Sequence, residues 1–558
     1  MTGRSKSSFK LRSQRLKFAL GLLIVLAGLR AADVAVIRSS SLTAEAARQQ
    51  SATAVVPAPR GDITDRHGVE LAVSQPAVDV TADPMLVKNP DALANQLAPL
   101  LGKTPAELLP KLSDRAKGYV VLAKRVPADQ GDKIRKLRVD GIDFEATMRR
   151  AYPRGEQAGR LIGSVNDEGH GSSGLEYAWD SVLRGKDGKR TTLSDGHGKP
   201  LGVQELAPIV PGRQLTLTID AAVQDQVERV LAGVGATFQP KGATAIVMDP
   251  NSGEILALAN WPAVNANDSG AALAEGHRDM ASGFNYEPGS TFKSITVASA
   301  LSEHKVTPDT VFDLPVELQV GDKTIHDSHD RGPESLSVAG ILAQSSNVGA
   351  AMIGTRVGRV RLDHWIRTFG FGAPTHSGFQ GEERGILLPL SKYSMATVGN
   401  ESMGQGLSVT PLQMVQAYSA IANGGVLRSP AIVHSIDGKP ASRRAPKRVI
   451  TPHVAAQVRK MLKGVLAEGG TASGAEIPGF DLAGKTGTAQ KVDPQTGTYS
   501  ESKYIASFIG FAPARSPKLL AAVVVDEPNG DIYGGSVAAP AFSRIMAFAL
   551  PYLGISPR

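Results

Sequence analysis

The amino-acid sequence predicts a multi-domain α+β protein held on a single N-terminal transmembrane helix. Three observations carry that expectation. The chain has 558 residues, more than one ordinary core organises, so two or three domains are expected. Residues 18–37 are an apolar segment directly behind a basic cluster. In the second half, apolar strand-like runs at 243–249, 254–260, 504–511 and 519–525 are interleaved with helix-like stretches.

Composition narrows the class. Apolar residues make up 42% of the chain and charged residues 20%, the balance of a globular protein. There is no cysteine, which excludes disulfides, thiolate metal sites and cysteine nucleophiles. Of the formal charge of +8, six positive charges come from Arg4, Lys6, Lys10, Arg12, Arg15 and Lys17. The basic balance therefore describes a short N-terminal tail, residues 1–17, and gives no argument for nucleic acid.

Residues 18–29 (FALGLLIVLAGL) are uninterrupted apolar sequence, too short to span a bilayer alone. The 20 residues 18–37 reach about 30 Å as a helix. Arg30 and Asp33 are three apart and can pair near the outer interface. Basic residues ahead of the span place the N-terminus in the cytoplasm. A cleaved signal peptide is the alternative, with a small-x-small site at Ala44-Glu45-Ala46. We expect an uncleaved anchor, followed by a small, polar stalk or short helix at 38–56.

Residues 57–208 read as a structural domain. A charged, turn-bounded segment (RGDITDRHG, 60–68) precedes a strand-like alternation at 69–81 and helices near 90–101 and 104–112. Leu183-Arg184-Gly185-Lys186-Asp187-Gly188-Lys189 reads as a hairpin turn. No Ser/His/Asp set or metal spacing is visible here. A boundary near 208–212 opens the second domain, 209–558. There a strand at 215–220 leads to a helix at 221–232. The runs 243–249 and 254–260 flank Pro250-Asn251-Ser252-Gly253 as a hairpin. Residues 410–424 read as an amphipathic helix with a Thr-Pro start, 454–467 as another, and 540–553 as the last. With Lys485-Thr486-Gly487-Thr488 leading a further strand, the runs make one antiparallel sheet flanked by helices.

The chemistry centres on Glu287-Pro288-Gly289-Ser290-Thr291-Phe292-Lys293. Pro288 and Gly289 make a turn, and 290–304 has the apolar spacing of a packed helix. Positions i and i+3 share a helix face, so Ser290 and Lys293 can meet as nucleophile and base. The spacing alone is weak, because Ser-x-x-Lys also occurs at Ser7/Lys10, Ser302/Lys305 and Ser500/Lys503. Ser345-Ser346-Asn347 stands at a junction between apolar segments, where a helix cap is the bland reading. Ser-x-Asn recurs at Ser164-Val165-Asn166, whereas Lys-Thr-Gly occurs once.

Together and in this order, Ser290-Thr291-Phe292-Lys293, Ser345-Ser346-Asn347 and Lys485-Thr486-Gly487-Thr488 resemble the motifs of the penicilloyl-serine transferase (β-lactamase-like) superfamily. RGDITDRHG, RRAYPRG (149–155) and GLEYAWDSVLRGKDG (174–188) resemble the elongated, dimerisation-type pedestal of class B penicillin-binding proteins. GQGLSVTPLQ (404–413) and YGGSVAAPAF (533–542) resemble their transpeptidase domain, most closely that of the division-specific branch, penicillin-binding protein 3. One departure is His67, where the family usually has asparagine.

The resemblance implies a peptidoglycan D,D-transpeptidase working through a serine acyl-enzyme. Ser290 attacks the carbonyl and Lys293, if neutral, takes its proton. A lysine pKa of about 10.4 has to be lowered for this, by burial and by a neighbouring cation such as Lys485. Ser345 relays a proton to the leaving amine, and Asn347 holds Lys293 and a substrate amide. Lys485, Thr486 and Thr488 bind the terminal carboxylate, and Gly487 lets substrate approach the strand edge. Backbone N–H groups of Ser290 and Thr488 form an oxyanion hole. No cofactor or metal is implied. Expected partners are stem peptides with a D-Ala-D-Ala donor, β-lactams as covalent inhibitors, a separate membrane glycan polymerase and other division proteins. Expected placement is the inner membrane, single-pass, with the catalytic domain in the periplasm at the septum. An elongation-type transpeptidase, a β-lactamase and a non-catalytic penicillin sensor or division scaffold are the competing readings.

Overall fold

The computed structural model describes residues 5–38, 51–194, 200–268, 270, 279–329, 331–493 and 496–557. Helix α1 runs Ser5–Ala32 and continues as a π-helical turn, Asp33–Ile37. The basic residues from Lys6 to Lys17 lie on the first turns of this helix, ahead of the apolar segment. Its segment Lys10–Val36, 27 residues, reaches a mean hydropathy of 2.0 with none of the apolar stretch buried, so it is long and apolar enough to cross a membrane. Arg30 pairs with Asp33 at 2.6 Å, as their spacing suggested. Ala44-Glu45-Ala46 lies outside the described residues.

The end of the expected stalk is a strand. Strand β1, Ser51–Val56, pairs antiparallel with Gly188–Ser194, which in turn pairs with Pro200–Ala207. Alternating small and β-branched residues suit such an edge, but its partner lies far along the chain. The turn expected at 183–189 is a helix-to-strand connection: helix Asp180–Leu183 ends there and the strand begins at Gly188.

A larger sheet follows. Strands β2 (Ile63–Thr64) and β3 (Glu70–Ala82) pair with each other, and β3 pairs with Val120–Pro127 and Ile142–Ala151. Helices Pro90–Leu101 and Pro105–Ser113 bury Leu93, Leu97, Leu108 and Leu112 against them, forming a separate small core. β2 also pairs parallel with Leu215–Leu217, beyond the expected boundary at 208. Ile63, Leu71, Tyr152 and Leu175 accordingly join the core of the second half, so the two halves share hydrophobic packing. His67 sits at this junction, its Nε2 3.1 Å from Asp220 Oδ2.

The second half is built on the expected five-stranded antiparallel sheet. In spatial order its strands are Ile255–Trp261, Gly242–Met248, Leu519–Asp526, Tyr499–Ala512 and Ala483–Val492. Every residue of Gly242–Met248 and Leu519–Asp526 is buried, which is why these runs read as continuously apolar. Ala483–Val492 is an edge strand, and it carries Lys485 to Thr488. Helices Ala221–Phe238 and Gly534–Tyr552 pack on the sheet and on each other. The last helix begins six residues before Pro540, at Gly534, where Gly534 and Gly535 lie close against neighbouring backbone. Helix Pro411–Ala422 is buried at all twelve positions, not amphipathic as its sequence suggested. Ser419 Oγ donates to Gln416 O, and Gln413 Nε2 to Ala373 O and Arg384 O, so these polar side chains are satisfied by backbone inside the core.

Candidate active site

Ser290 lies on a 3-10 turn, Gly289–Phe292, that runs directly into helix Lys293–Ser302. The turn is pinned on several sides. Gly289 N–H donates to Gly404 O at 3.0 Å, Thr291 Oγ1 to Pro288 O at 2.7 Å, and Tyr418 OH to Thr291 O at 2.7 Å. Residues Lys293 to Leu301 are all buried, so the helix is a core element with its first turn opening on the site. Ser290 itself is half-buried. Lys305 and Lys503, the partners in two of the other Ser-x-x-Lys spacings, are exposed.

Lys293 is 1% exposed. Its Nζ donates to Ser345 O at 2.5 Å, Ser345 Oγ at 3.3 Å and Asn347 Oδ1 at 2.7 Å. Among the described residues its hydrogen bonds all go to this segment, and none goes to Ser290 Oγ. Ser345 ends helix Val338–Gln344 in the left-handed region, φ 64°, and Ser346 caps helix Asn347–Val357. That reversal brings the Ser345 carbonyl and hydroxyl to one ammonium. Burial pushes the Lys293 pKa down to about 7, with the Asp327 carboxylate opposing it. Burial also pushes Lys485 down, and repulsion from Lys293 adds to this. Burial lowers Lys293 as expected, but the neighbouring charge that acts on it is Asp327 and not Lys485; the repulsion between the two lysines lowers Lys485 instead.

Lys485 is fully buried, its Nζ 3.3 Å from both the carbonyl and the hydroxyl of Thr486. Thr486 Oγ1 is also within 2.6 Å of Thr471 Oγ1. Thr488 Oγ1 accepts from Gly534 N–H at 3.1 Å. The edge strand lies directly on the serine turn: a Cβ placed on Gly289 would meet Thr488 O and Ala489 Cβ at 3.2 Å. Among the described residues no cluster of His, Asp and Glu could hold a metal ion. The chemistry available is acyl transfer to a serine beside a buried lysine of lowered pKa.

Residues 243–547 match the family model of the penicillin binding protein transpeptidase domain, and residues 55–217 that of the penicillin-binding protein dimerisation domain. The chain belongs to the class B penicillin-binding proteins. The peptidoglycan D,D-transpeptidase FtsI of Escherichia coli is 33% identical over 547 residues, 96% of this chain and 91% of that one. Stage V sporulation protein D of Bacillus subtilis is 35% identical over 514 residues, 89% of this chain and 79% of that one. Among solved structures, penicillin binding protein 3 of Mycobacterium tuberculosis complexed with aztreonam superposes with a TM-score of 0.72 at 29% identity, covering 90% of this chain and 98% of that chain.

In this penicillin-binding protein the sequence reading missed Asp327. Its carboxylate accepts from Asn347 N–H and, at 3.0 Å, from Val348 N–H, and it pairs with Arg331. Ser346 Oγ donates to it as well, at 3.0 Å. It therefore caps the helix that presents Asn347, from twenty residues upstream, where no spacing rule points to it. Because Asp327 raises the Lys293 pKa, Asp327→Asn is expected to move the midpoint of the acylation pH profile to lower pH. It is also expected to cost about 1–2 kcal/mol of cap stability. Stopped-flow acylation across pH and thermal melting check the two parts.

Glu287 was also missed. It accepts from Gly406 N–H at 2.9 Å and from Tyr499 OH at 3.0 Å, tying the serine turn to two other loops. Gly487 has a packing reason that the sequence did not show. A Cβ there would lie 2.4 Å from Ser507 Oγ, 3.0 Å from Thr291 Cγ2 and 3.1 Å from Pro288 O. The glycine lets the strand press on the serine turn. Gly487→Ala is expected to cost about 1–3 kcal/mol by overpacking and to slow penicillin labelling. Melting temperature and labelling rate, measured together, check it.

Proposed function

We infer that this class B penicillin-binding protein is a peptidoglycan D,D-transpeptidase of the division type. The observation that carries the reading is the buried Lys293, hydrogen-bonded to Ser345 and Asn347 at the foot of the Ser290 turn. Ser290 Oγ attacks the carbonyl between two D-alanines, forming an ester and breaking the amide. Its proton passes to neutral Lys293 and, through Ser345 Oγ, to the departing amine. An acceptor amine then attacks the ester and returns the proton to Ser290. Backbone N–H groups of Ser290 and Thr488 stabilise the oxyanion, each worth roughly 3–4 kcal/mol in comparable enzymes. The Lys485 charge and the Thr488 hydroxyl hold the terminal carboxylate. Thr486, bonded to Thr471 and 3.3 Å from Lys485 Nζ, also holds that lysine in place beside the carboxylate site.

In this reading helix α1 anchors the chain in the cytoplasmic membrane, with the transpeptidase domain in the periplasm at the septum. Glycan strands then come from a separate membrane polymerase acting alongside other division proteins. Digestion after incubation with penicillin is the test. The acyl adduct is expected on Ser290 within the tryptic peptide 279–293, and an adduct on any other residue overturns the assignment.

A further inference from the structure

The first half of the chain holds a cleft of about 460 Å³ whose lining residues all lie between Pro57 and Asp187, apart from the serine site. One residue in it is incompletely satisfied. Arg150, on strand Ile142–Ala151, has a side chain only 3% exposed. Its Nε donates to Glu176 Oε1 at 2.6 Å. Both terminal nitrogens are buried without a hydrogen-bond partner, and the Asp62 carboxylate stops 4.0 Å from one of them. The contrast with Arg60 is direct. Arg60 shares Glu176 but places its nitrogens on Glu176 Oε2, Asp180 Oδ1 and Glu176 O at 2.5, 2.6 and 2.8 Å. Buried donors left unpaired are costly, and a guanidinium fork matches a planar carboxylate.

The rest of the lining selects the ligand. Arg149, Arg125 and Arg184 add positive charge, while Glu168 and Asp187 add carboxylates. A compact dianion such as phosphate engages the arginines and leaves the Glu168 and Asp187 carboxylates unmatched. A molecule with a carboxylate at one end and an ammonium at the other meets both signs. We propose that this cleft binds a short peptide bearing a free carboxylate and a free amine, the carboxylate on Arg150 and the amine toward Glu168 and Asp187. Stem peptides belong to that class, and the inference rests on the proposed function only for penicillin blocking Ser290.

The test uses the full-length protein in detergent, acylated with penicillin and checked by intact mass. Calorimetric titration with L-lysyl-D-alanyl-D-alanine is expected to show saturable binding to the acylated protein. Arg150→Lys and Arg149→Gln are expected to weaken it about tenfold or more while leaving the acylation rate unchanged. Arg149→Gln leaves the Arg150–Glu176 pair in place and so guards against loss of folding. The C-terminally amidated peptide is expected to bind correspondingly weakly. No binding to fully acylated protein, equal binding of the amidated peptide, equal binding by both variants, or tighter binding of inorganic phosphate overturns the proposal. A chain that takes no penicillin counts against the proposed function. The two arginine variants then still decide the cleft, because neither belongs to the serine site.

Discussion

Replacing Ser290 by alanine is expected to abolish covalent labelling by a fluorescent penicillin while leaving the melting temperature almost unchanged. The two halves of that result have separate causes. Chemically, the neighbouring hydroxyls of Thr291 and Ser294 are buried and engaged on Pro288 O and Tyr418 OH, so removing the nucleophile should lower turnover on the order of 10⁶-fold, as in other serine acyl-transfer enzymes. Structurally, the turn is held by Gly289 N–H, Thr291 Oγ1 and Tyr418 OH, and none of these bonds uses Ser290 Oγ. Loss of label with loss of the thermal transition would mean that the serine supports the fold, and retained label would remove it as the nucleophile. Gel labelling and calorimetry on the same preparation separate these outcomes.

Lys293→Ala and Lys293→Arg are both expected to slow acylation about 10³-fold, the scale of a general base. Arginine is the sharper probe. It keeps a positive charge but holds its proton at any working pH, so a lysine acting only as a charge would be rescued by it. The parent enzyme should show the matching pH dependence. Lys293 is protonated below its pKa of about 7 and neutral above it. The competent fraction therefore rises about tenfold per pH unit on the acid side and levels off above the midpoint. A rate that is flat from pH 5 to pH 9, or that falls as pH rises through about 7, would rule out the neutral amine as base. The alanine variant also leaves Ser345 O and Asn347 Oδ1 without their donor, so some loss of stability accompanies it.

Much of this protein is legible in its sequence because local rules write it there. The apolar run behind the basic cluster is helix α1, and the continuous apolar runs 243–249 and 519–525 are the buried strands of the sheet. Ser290, Lys293, Ser345, Asn347 and Lys485 were named from three motifs, any one of which was ambiguous alone. Spacing could not choose among four Ser-x-x-Lys pairs; burial does, since Lys293 is enclosed where Lys305 and Lys503 are exposed.

What spacing could not supply is every contact made across the chain. Asp327 caps the Asn347 helix, the strand at Gly487 presses on Pro288 and Thr291, and β1 completes a sheet with residues more than a hundred positions away. Sequence alone therefore determined the elements and the residue types that do the chemistry, because periodicity and turn chemistry act within a few residues. Tertiary structure alone decided the lowered Lys293 pKa, the cap from Asp327 and the reason for Gly487, because burial and charge depend on neighbours that no local pattern encodes.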